Sequence, residues 1–268
     1  MEQKQLLNFS IKPDTITMRI FWILLGFELL IVFLDVFVNH YEWSSVGSIR
    51  RMVNITREDS LSNWFSSIQA IAVGSVIWLT AIVVRKQMLD SYNKIKFYCW
   101  AGIGTFFIYM GIDDAIKFHE RIGTAFHVIL FDDDTSNEGV LGAVYDAFPS
   151  YTWQMVFGPF FMAIGIFILW FVWKELTSRK LWNWFLVGIS LYAVAIGLDF
   201  VEGLDGEPYE DMGIAGFFST YEFRIRHMSK TLEEFLEMLG TTIFLIVFLK
   251  NIFRLTDELK ITISENTS

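Results

Sequence analysis

Six long apolar segments constrain the fold of this chain more than any other feature of its sequence. A helix needs roughly 20 residues to cross the hydrocarbon core of a bilayer, and six segments of about that length follow one another along the 268 residues. We expect helices at about residues 18–40, 61–84, 97–119, 153–173, 181–203 and 227–249. Membrane β-strands would be roughly 10 residues long with alternating polar and apolar side chains, which these segments lack. The sequence therefore predicts an all-α integral membrane bundle of six transmembrane helices, with residues 1–268 forming a single domain in contact with the lipid bilayer.

Charged residues are divided unequally between the two ends of the predicted helices. Most of the 21 lysines and arginines lie at the termini and in the connections after the second and fourth helices. The positive-inside rule places these segments, and both termini, in the cytoplasm. The other end carries most of the 30 acidic residues. We therefore predict a plasma (inner) membrane protein whose acidic face points to the periplasm or the extracellular space. The net charge of −9 excludes nucleic-acid binding, and the acidic face suits cations or a basic membrane-protein partner.

Acidic side chains also occur inside four of the predicted helices, where a charge in contact with lipid would be costly. Each of these helices carries a pair at a spacing of three or seven residues, which places the pair on one helical face. The residues are Glu28, Asp35, Asp113, Glu120, Asp199, Glu202, Glu234 and Glu237. Ser62, Ser66 and Gln69 form a polar stripe on the second helix, whereas the fourth helix has no stripe and is expected to be lipid-facing or supporting. The five stripes predict a polar cavity that opens toward the acidic face.

All four histidines are predicted at the acidic end. We expect His40 and His127 to be solvated helix ends. His119 lies about 120° around the helix from the acidic stripe, so it faces either the cavity or a different neighbour, whereas His227 shares a face with the acidic pair of the sixth helix. Imidazole and carboxylate groups together are the ligands that Zn, Fe or Mn would use. We predict a divalent-metal site built from Asp113, His119, Glu120, Asp199, Glu202, His227, Glu234 and Glu237.

A buried network of ion pairs is the alternative explanation for these acids. Lys117 can pair with either acid of the third helix, and Lys230 with either acid of the sixth, at helical spacings. The acids outnumber these two lysines, however, so the excess requires protons, a metal ion or another cationic ligand. Glu28, the deepest acid, and Asp35 on the same face are the predicted catalytic residues.

Two segments resemble those of uncharacterised polytopic membrane proteins of bacteria and archaea. In that group an acidic pair is followed by His-Glu at the end of one span, as in Asp113-Asp114 and His119-Glu120 here, and Glu-Glu-x-x-Glu-x-x-Gly opens a later span, as in residues 233–240. The acidic pair of this chain is Asp-Asp where the group has Asp-Glu. The resemblance covers two of the six spans, supports the same acidic residues and implies no reaction.

Three functional hypotheses follow from these observations. The sequence favours a metal-dependent membrane enzyme, such as a hydrolase or an oxidase, that acts on a lipid-soluble substrate. The first alternative is a proton- or cation-coupled carrier or channel in which Glu28, Asp35 and Asp113 load and release the ion. The second is a non-catalytic subunit of a larger membrane complex, which would bind its partner through the acidic face.

Overall fold

The computed structural model describes residues 13–87, 91–131, 148, 150–176, 178–204, 206–218 and 220–256. The described residues are mostly helical and include no strand. Six of the helices are long and apolar enough to cross a membrane, which confirms the all-α prediction and indicates a multi-pass integral membrane protein. The acidic run 132–134 and the side chain of His127 lie outside the described part of the chain.

The six long helices are joined by shorter helical segments. The long helices are α1 (Pro13–Asp35), α3 (Leu61–Gln87), α4 (Ser91–Ile116), α6 (Thr152–Glu175), α7 (Arg179–Glu202) and α10 (Glu222–Leu255). The shorter ones are α2 (Gly47–Val53), α5 (Phe118–Phe131), α8 (Pro208–Asp211) and α9 (Ile214–Phe217), and α1 continues into a π-helical segment, Val36–His40.

Two helix boundaries differ from the expected ones for identifiable reasons. The third span ends at Ile116 rather than near residue 119, because Lys117 adopts a left-handed backbone conformation with φ of 53°. The last helix begins at Glu222, five residues before the apolar segment, because its first turns are polar and hydropathy does not detect them. Hydropathy reports which residues suit lipid, whereas helix formation depends on backbone geometry and propensity.

Helix α10 occupies the centre of the bundle. In the most apolar 18-residue stretch of α10, 67% of the residues are buried, compared with 17% in the corresponding stretches of α6 and α7. It packs against α1, α3 and α7, and Met238, Val247 and Phe248 along it are fully buried. The low burial of α6 agrees with its predicted lipid-facing position. Large apolar side chains such as Trp22, Ile23 and Phe33 cover the outside of α1, where they contact the lipid bilayer.

Helices α3 and α4 approach each other closely through small residues. A Cβ atom added at Gly74 of α3 would lie 2.6 Å from the carbonyl oxygen of Gly104 in α4. One added at Gly111 would lie 2.6 Å from the carbonyl oxygen of Ser67. These two contacts are seven residues apart on each antiparallel helix, so glycines bring the two backbones together at two levels of the interface. The close approach carries the end of α4 toward the beginning of α3.

Aromatic side chains fill the half of the bundle in which α3 ends and α4 begins. The rings of Trp100 and Phe171 lie 5.2 Å apart edge to face, and Phe185 and Phe244 lie 5.2 Å apart in a tilted arrangement. Phe248 packs against both Trp100 and Phe185. Such ring pairs add to the energy of apolar burial. They close the bundle on one side and leave its other half to polar residues.

Candidate functional site

A cavity lies among α3, α4, α5, α6, α7 and α10 at the end of the bundle where α4 and α7 terminate and α10 begins. Its polar compartment, about 390 Å³ in volume, is lined by residues such as Arg57, Asn63 and Tyr151. Its apolar compartment, about 310 Å³ in volume, reaches Phe185 and Phe244 of the aromatic core. The two compartments adjoin at a shared set of residues, which we call the junction. The junction consists of Asp114, Lys117, Glu120, Trp153, Asp199, Lys230 and Glu234.

The two lysines of the junction are engaged by carboxylates. The Nζ atom of Lys230 lies 2.8 Å from Oε1 of Glu233 and 3.6 Å from Oδ1 of Asp199. The Nζ atom of Lys117 lies 3.3 Å from Oε1 of Glu120. The ion pairs proposed as an alternative therefore exist in part, although the partner of Lys230 on its own helix is Glu233 rather than the predicted Glu234 or Glu237.

These lysines leave acidic side chains of the cavity without a cation in contact. Glu234 and Glu237 line the apolar compartment, and within the described chain neither forms an ion pair. Glu202 lines the polar compartment, where Oε1 accepts a hydrogen bond from the Tyr151 hydroxyl at 3.5 Å and Oε2 has no partner. The cavity thus carries an excess of acidic groups.

His119 and Asp113 form a close pair in the wall of the apolar compartment. Nδ1 of His119 contacts Oδ2 of Asp113, and the backbone N–H of His119 donates to Oδ1 at 3.0 Å. The left-handed conformation of Lys117 turns the chain back between α4 and α5 and brings the two residues together. The histidine ring packs edge to face on Trp153 with ring centroids 4.6 Å apart. The carboxylate bound to Nδ1 orients the imidazole, and Nε2 lies 3.9 Å from Oε1 of Glu120.

Residues that the sequence analysis did not select complete the cavity wall. Asp114 accepts hydrogen bonds from the hydroxyl groups of Ser66 and Ser67 on α3. From α6, Gln154 donates to Oδ2 of Asp199 at 2.8 Å. No stripe was predicted on the fourth span because Gln154 stands alone in the first turn of the apolar segment. The Asp113-Asp114 repeat and the Ser66 stripe were the available signals for the Asp114 contact.

The electrostatics of the cavity are visible in two groups outside the membrane-spanning segments. Burial by itself would lower the pKa of Lys117, but the charges of Glu234, Glu120 and Asp114 raise it above the ordinary lysine value. Burial, followed by the charge of Glu202, raises the pKa of Tyr151 to about 12. The shift of the Lys117 pKa has the sign expected when negative charge dominates the surroundings.

Asp35 and His227 meet outside this cavity, at the contact between α1 and α10. Nε2 of His227 lies 3.0 Å from Oδ2 of Asp35, and the Thr231 hydroxyl donates to the same oxygen at 3.2 Å. Oδ1 accepts from Nδ2 of Asn39 at 3.0 Å and from the backbone N–H of Ile55 at 3.4 Å. Asp35 is completely buried with four hydrogen-bond partners around it, an arrangement that joins α1 to α10 and to the connection between α2 and α3.

Glu28 is also separate from the cavity. It is completely buried, and its Oε1 accepts hydrogen bonds from Gln69 at 2.8 Å and from Thr242 at 2.6 Å. Of the residues predicted as catalytic or metal-binding, the cavity is lined by Asp113, His119, Glu120, Asp199, Glu202, Glu234 and Glu237, and is not lined by Glu28, Asp35 or His227. A role for either set in catalysis or in metal binding stays a prediction.

A scan against family models matched residues 22–252 to a domain of unknown function, DUF8692. The chain belongs to this family. The matched range includes all six long helices in whole or in large part, the cavity and the buried residues Glu28 and Asp35. No curated protein and no solved structure matched the chain. Membership of DUF8692 agrees with the resemblance to an uncharacterised group and assigns no reaction.

The described residues of this DUF8692 protein contain no group of three or more His, Cys, Asp or Glu side chains placed to hold a metal ion. The carboxylates instead contact lysine, serine, glutamine and tyrosine side chains. What the cavity offers chemically is a carboxylate-rich polar end, an imidazole oriented by Asp113, and an apolar extension. A polar end and an apolar end therefore adjoin within one cavity.

Proposed function

We propose that this DUF8692 protein binds a lipid-soluble, amphiphilic molecule whose polar end carries positive charge. The observation that carries the proposal is the junction, where a carboxylate-rich compartment opens onto an aromatic one. The polar end of the ligand would lie among the junction carboxylates, and its hydrocarbon part would lie against Phe107, Phe185 and Phe244.

The charge balance of the cavity supports a cationic polar end. Glu234 and Glu237 are three residues apart on α10 and form no ion pair among the described residues. Carboxylates crowded in a medium of low dielectric require a counter-charge or protons. An ammonium group at this position would supply the counter-charge and would donate hydrogen bonds to both side chains. An anionic headgroup would meet repulsion from the same residues.

The shape of the cavity supports a hydrocarbon part on the same molecule. The apolar compartment alone, about 310 Å³, is within the ~300–1,000 Å³ range of small-molecule sites. It is lined mainly by aromatic and aliphatic side chains of α4, α6, α7 and α10. A bare cation or proton would not make use of this surface, whereas an acyl or alkyl chain would bury it from water.

The metal-dependent reaction predicted from the sequence would place a divalent ion among the same carboxylates, with His119 as a further ligand. Elemental analysis of protein purified without chelator, beside Asp113→Ala and Glu237→Ala, tests this possibility. One or two equivalents of Zn, Fe or Mn that are lost in both variants would make the metal the resident cation of the junction. Such a result would overturn the assignment of that position to the ligand's own charge.

Binding of three probes with the same alkyl chain tests the proposal directly. The probes are a long-chain amine, the matching alcohol and the matching carboxylate, and binding to the protein in nanodiscs is measured by native mass spectrometry. We expect the amine to bind at least tenfold more tightly than the alcohol, and Glu234→Gln or Glu237→Gln to weaken amine binding about tenfold, which corresponds to about 1.4 kcal/mol. Equal binding of amine and alcohol would contradict the proposal.

Two further variants complete this experiment. Glu210→Gln is the matched control, because Glu210 is exposed on α8 and does not line the cavity, so amine binding should be unchanged. Gly165 lines the apolar compartment, and a Cβ added there meets nothing within 4 Å. Gly165→Leu should therefore fill the compartment without displacing the backbone and should weaken binding of all three probes. Unchanged binding in this variant would show that the alkyl chain lies elsewhere.

A further inference from the structure

The contact between α1, α3 and α10 contains a hydrogen-bond cluster that the proposed ligand site does not use. Its members are Glu28 on α1, Gln69 on α3 and Thr242 on α10, whose exposed fractions are 0%, 3% and 0%. Gln69 donates from Nε2 to Oε1 of Glu28 and to Oγ1 of Thr242, both at 2.8 Å, and Thr242 donates to Oε1 of Glu28 at 2.6 Å.

A count of donors and acceptors shows that two acceptors of this cluster lack a donor. The amide of Gln69 has two N–H donors and Thr242 has one O–H donor, and all three are engaged within the cluster. Two buried acceptors remain without a partner, Oε2 of Glu28 and Oε1 of Gln69. Buried polar atoms in folded proteins almost always have a partner. A single proton on Oε2 would convert one of these two acceptors into a donor, the group that the cluster lacks.

No positive charge compensates an ionised Glu28. The polar side chains that contact it are Gln69 from α3 and Thr242 from α10, and among the described residues no charged or titratable group interacts with it. Asp35 is two helical turns away on α1 and is separated by the apolar cluster of Ile31, Ile55 and Met238. An uncompensated carboxylate at this depth in a membrane would be strongly unfavourable.

We propose that Glu28 is a proton-binding site, buried as the neutral acid with its proton on Oε2, at the contact between α1, α3 and α10. This placement separates the roles of the two acids on the face of α1. Asp35 has hydrogen-bond partners on both oxygens and holds α1 to α10, whereas Glu28 has partners on Oε1 alone and carries a bound proton on Oε2. Release of that proton requires water to reach Glu28, and therefore requires α1 to separate locally from α3 and α10.

Infrared spectroscopy of the protein in nanodiscs tests the proposal, because a protonated carboxyl group has a C=O stretch that a carboxylate lacks. The wild-type spectrum minus the Glu28→Gln spectrum, recorded from pH 6 to 8, should contain one protonated carboxyl band. The same subtraction with the exposed control Glu210→Gln should contain no such band. If the wild-type spectrum minus the Glu28→Gln spectrum instead contains the two bands of an ionised carboxylate, the proposal is overturned.

A second variant keeps the test decisive if Glu28→Gln does not fold. Thr242 donates to Oε1, the carbonyl oxygen of the protonated acid, so Thr242→Val should shift the frequency of the same C=O band upward. Stability provides an independent readout. Glu28→Gln, which is neutral and isosteric, should keep the midpoint of thermal unfolding close to that of the wild type, whereas Glu28→Ala should lower it. An unshifted band in Thr242→Val, or equal losses of stability in the two Glu28 variants, would contradict a bound proton.

Discussion

The close contact between α3 and α4 makes a sharp prediction for the substitution Gly74→Ala. The added Cβ would lie 2.6 Å from the carbonyl oxygen of Gly104, 2.7 Å from Cγ1 of Ile108 and 2.8 Å from the backbone nitrogen of Ile108. Two of these three atoms belong to the backbone, so a change of side-chain rotamer cannot relieve the overlap. The helices must separate by most of an ångström to restore ordinary contact.

The expected cost follows from two opposing effects. Overpacking of a well-packed interface costs about 1–3 kcal/mol, and replacement of a helical glycine by alanine returns about 0.5–1 kcal/mol. We therefore expect Gly74→Ala to lower the free energy of unfolding by about 1–2 kcal/mol. The same separation would draw Asp114 away from Ser66 and Ser67, so ligand binding at the junction should weaken as well.

The assay is reversible unfolding in mixed micelles, with helical content as the signal. Gly102→Ala is the matched control, because Gly102 lies in α4 and an added Cβ there meets nothing within 4 Å. This control should be as stable as the wild type or slightly more stable. Equal stability of Gly74→Ala and Gly102→Ala would refute the inference that close backbone contact holds α3 to α4.

Two further predictions concern the polar ends of the bundle. Asp35→Ala removes a completely buried carboxyl group that has four hydrogen-bond partners, and it should lower the free energy of unfolding by about 3 kcal/mol or more. Asp14→Ala, at an exposed ion pair with Lys250, is the control and should have little effect. Unfolding curves of equal midpoint for the two variants would contradict the structural role of Asp35. Because folding raises the pKa of Tyr151 to about 12, from about 10 in the unfolded chain, its contribution to stability is fully present below pH about 10 and is lost as the pH rises through about 12. Tyr151→Phe should reduce the alkaline loss of stability. The tyrosinate absorbance that the wild type shows and the variant lacks should have its titration midpoint near pH 12. A midpoint near pH 10 would show that neither burial nor Glu202 affects this phenol.

The sequence by itself determined that the chain forms six membrane-spanning helices. Each apolar segment reports on its own preference for lipid, and a helix satisfies its backbone hydrogen bonds within one segment. For that reason hydropathy located helices such as α3 and α7 to within a few residues of their ends. The acidic pairs were also visible in the sequence, because helical periodicity alone places i and i+7 on one face.

Only the tertiary structure decided which of these polar residues meet. Helical geometry placed His119 away from Asp113, but the left-handed conformation of Lys117 ends α4 and brings them into contact. His227 and Glu234 share a helical face, yet α1 packs against α10 so that His227 binds Asp35 while Glu234 lines the cavity. Periodicity within one helix carries no information on the position of a neighbouring helix. That position depends on side-chain volume at the contact, as at Gly74 and Gly104, and it is therefore set by all the helices packed together.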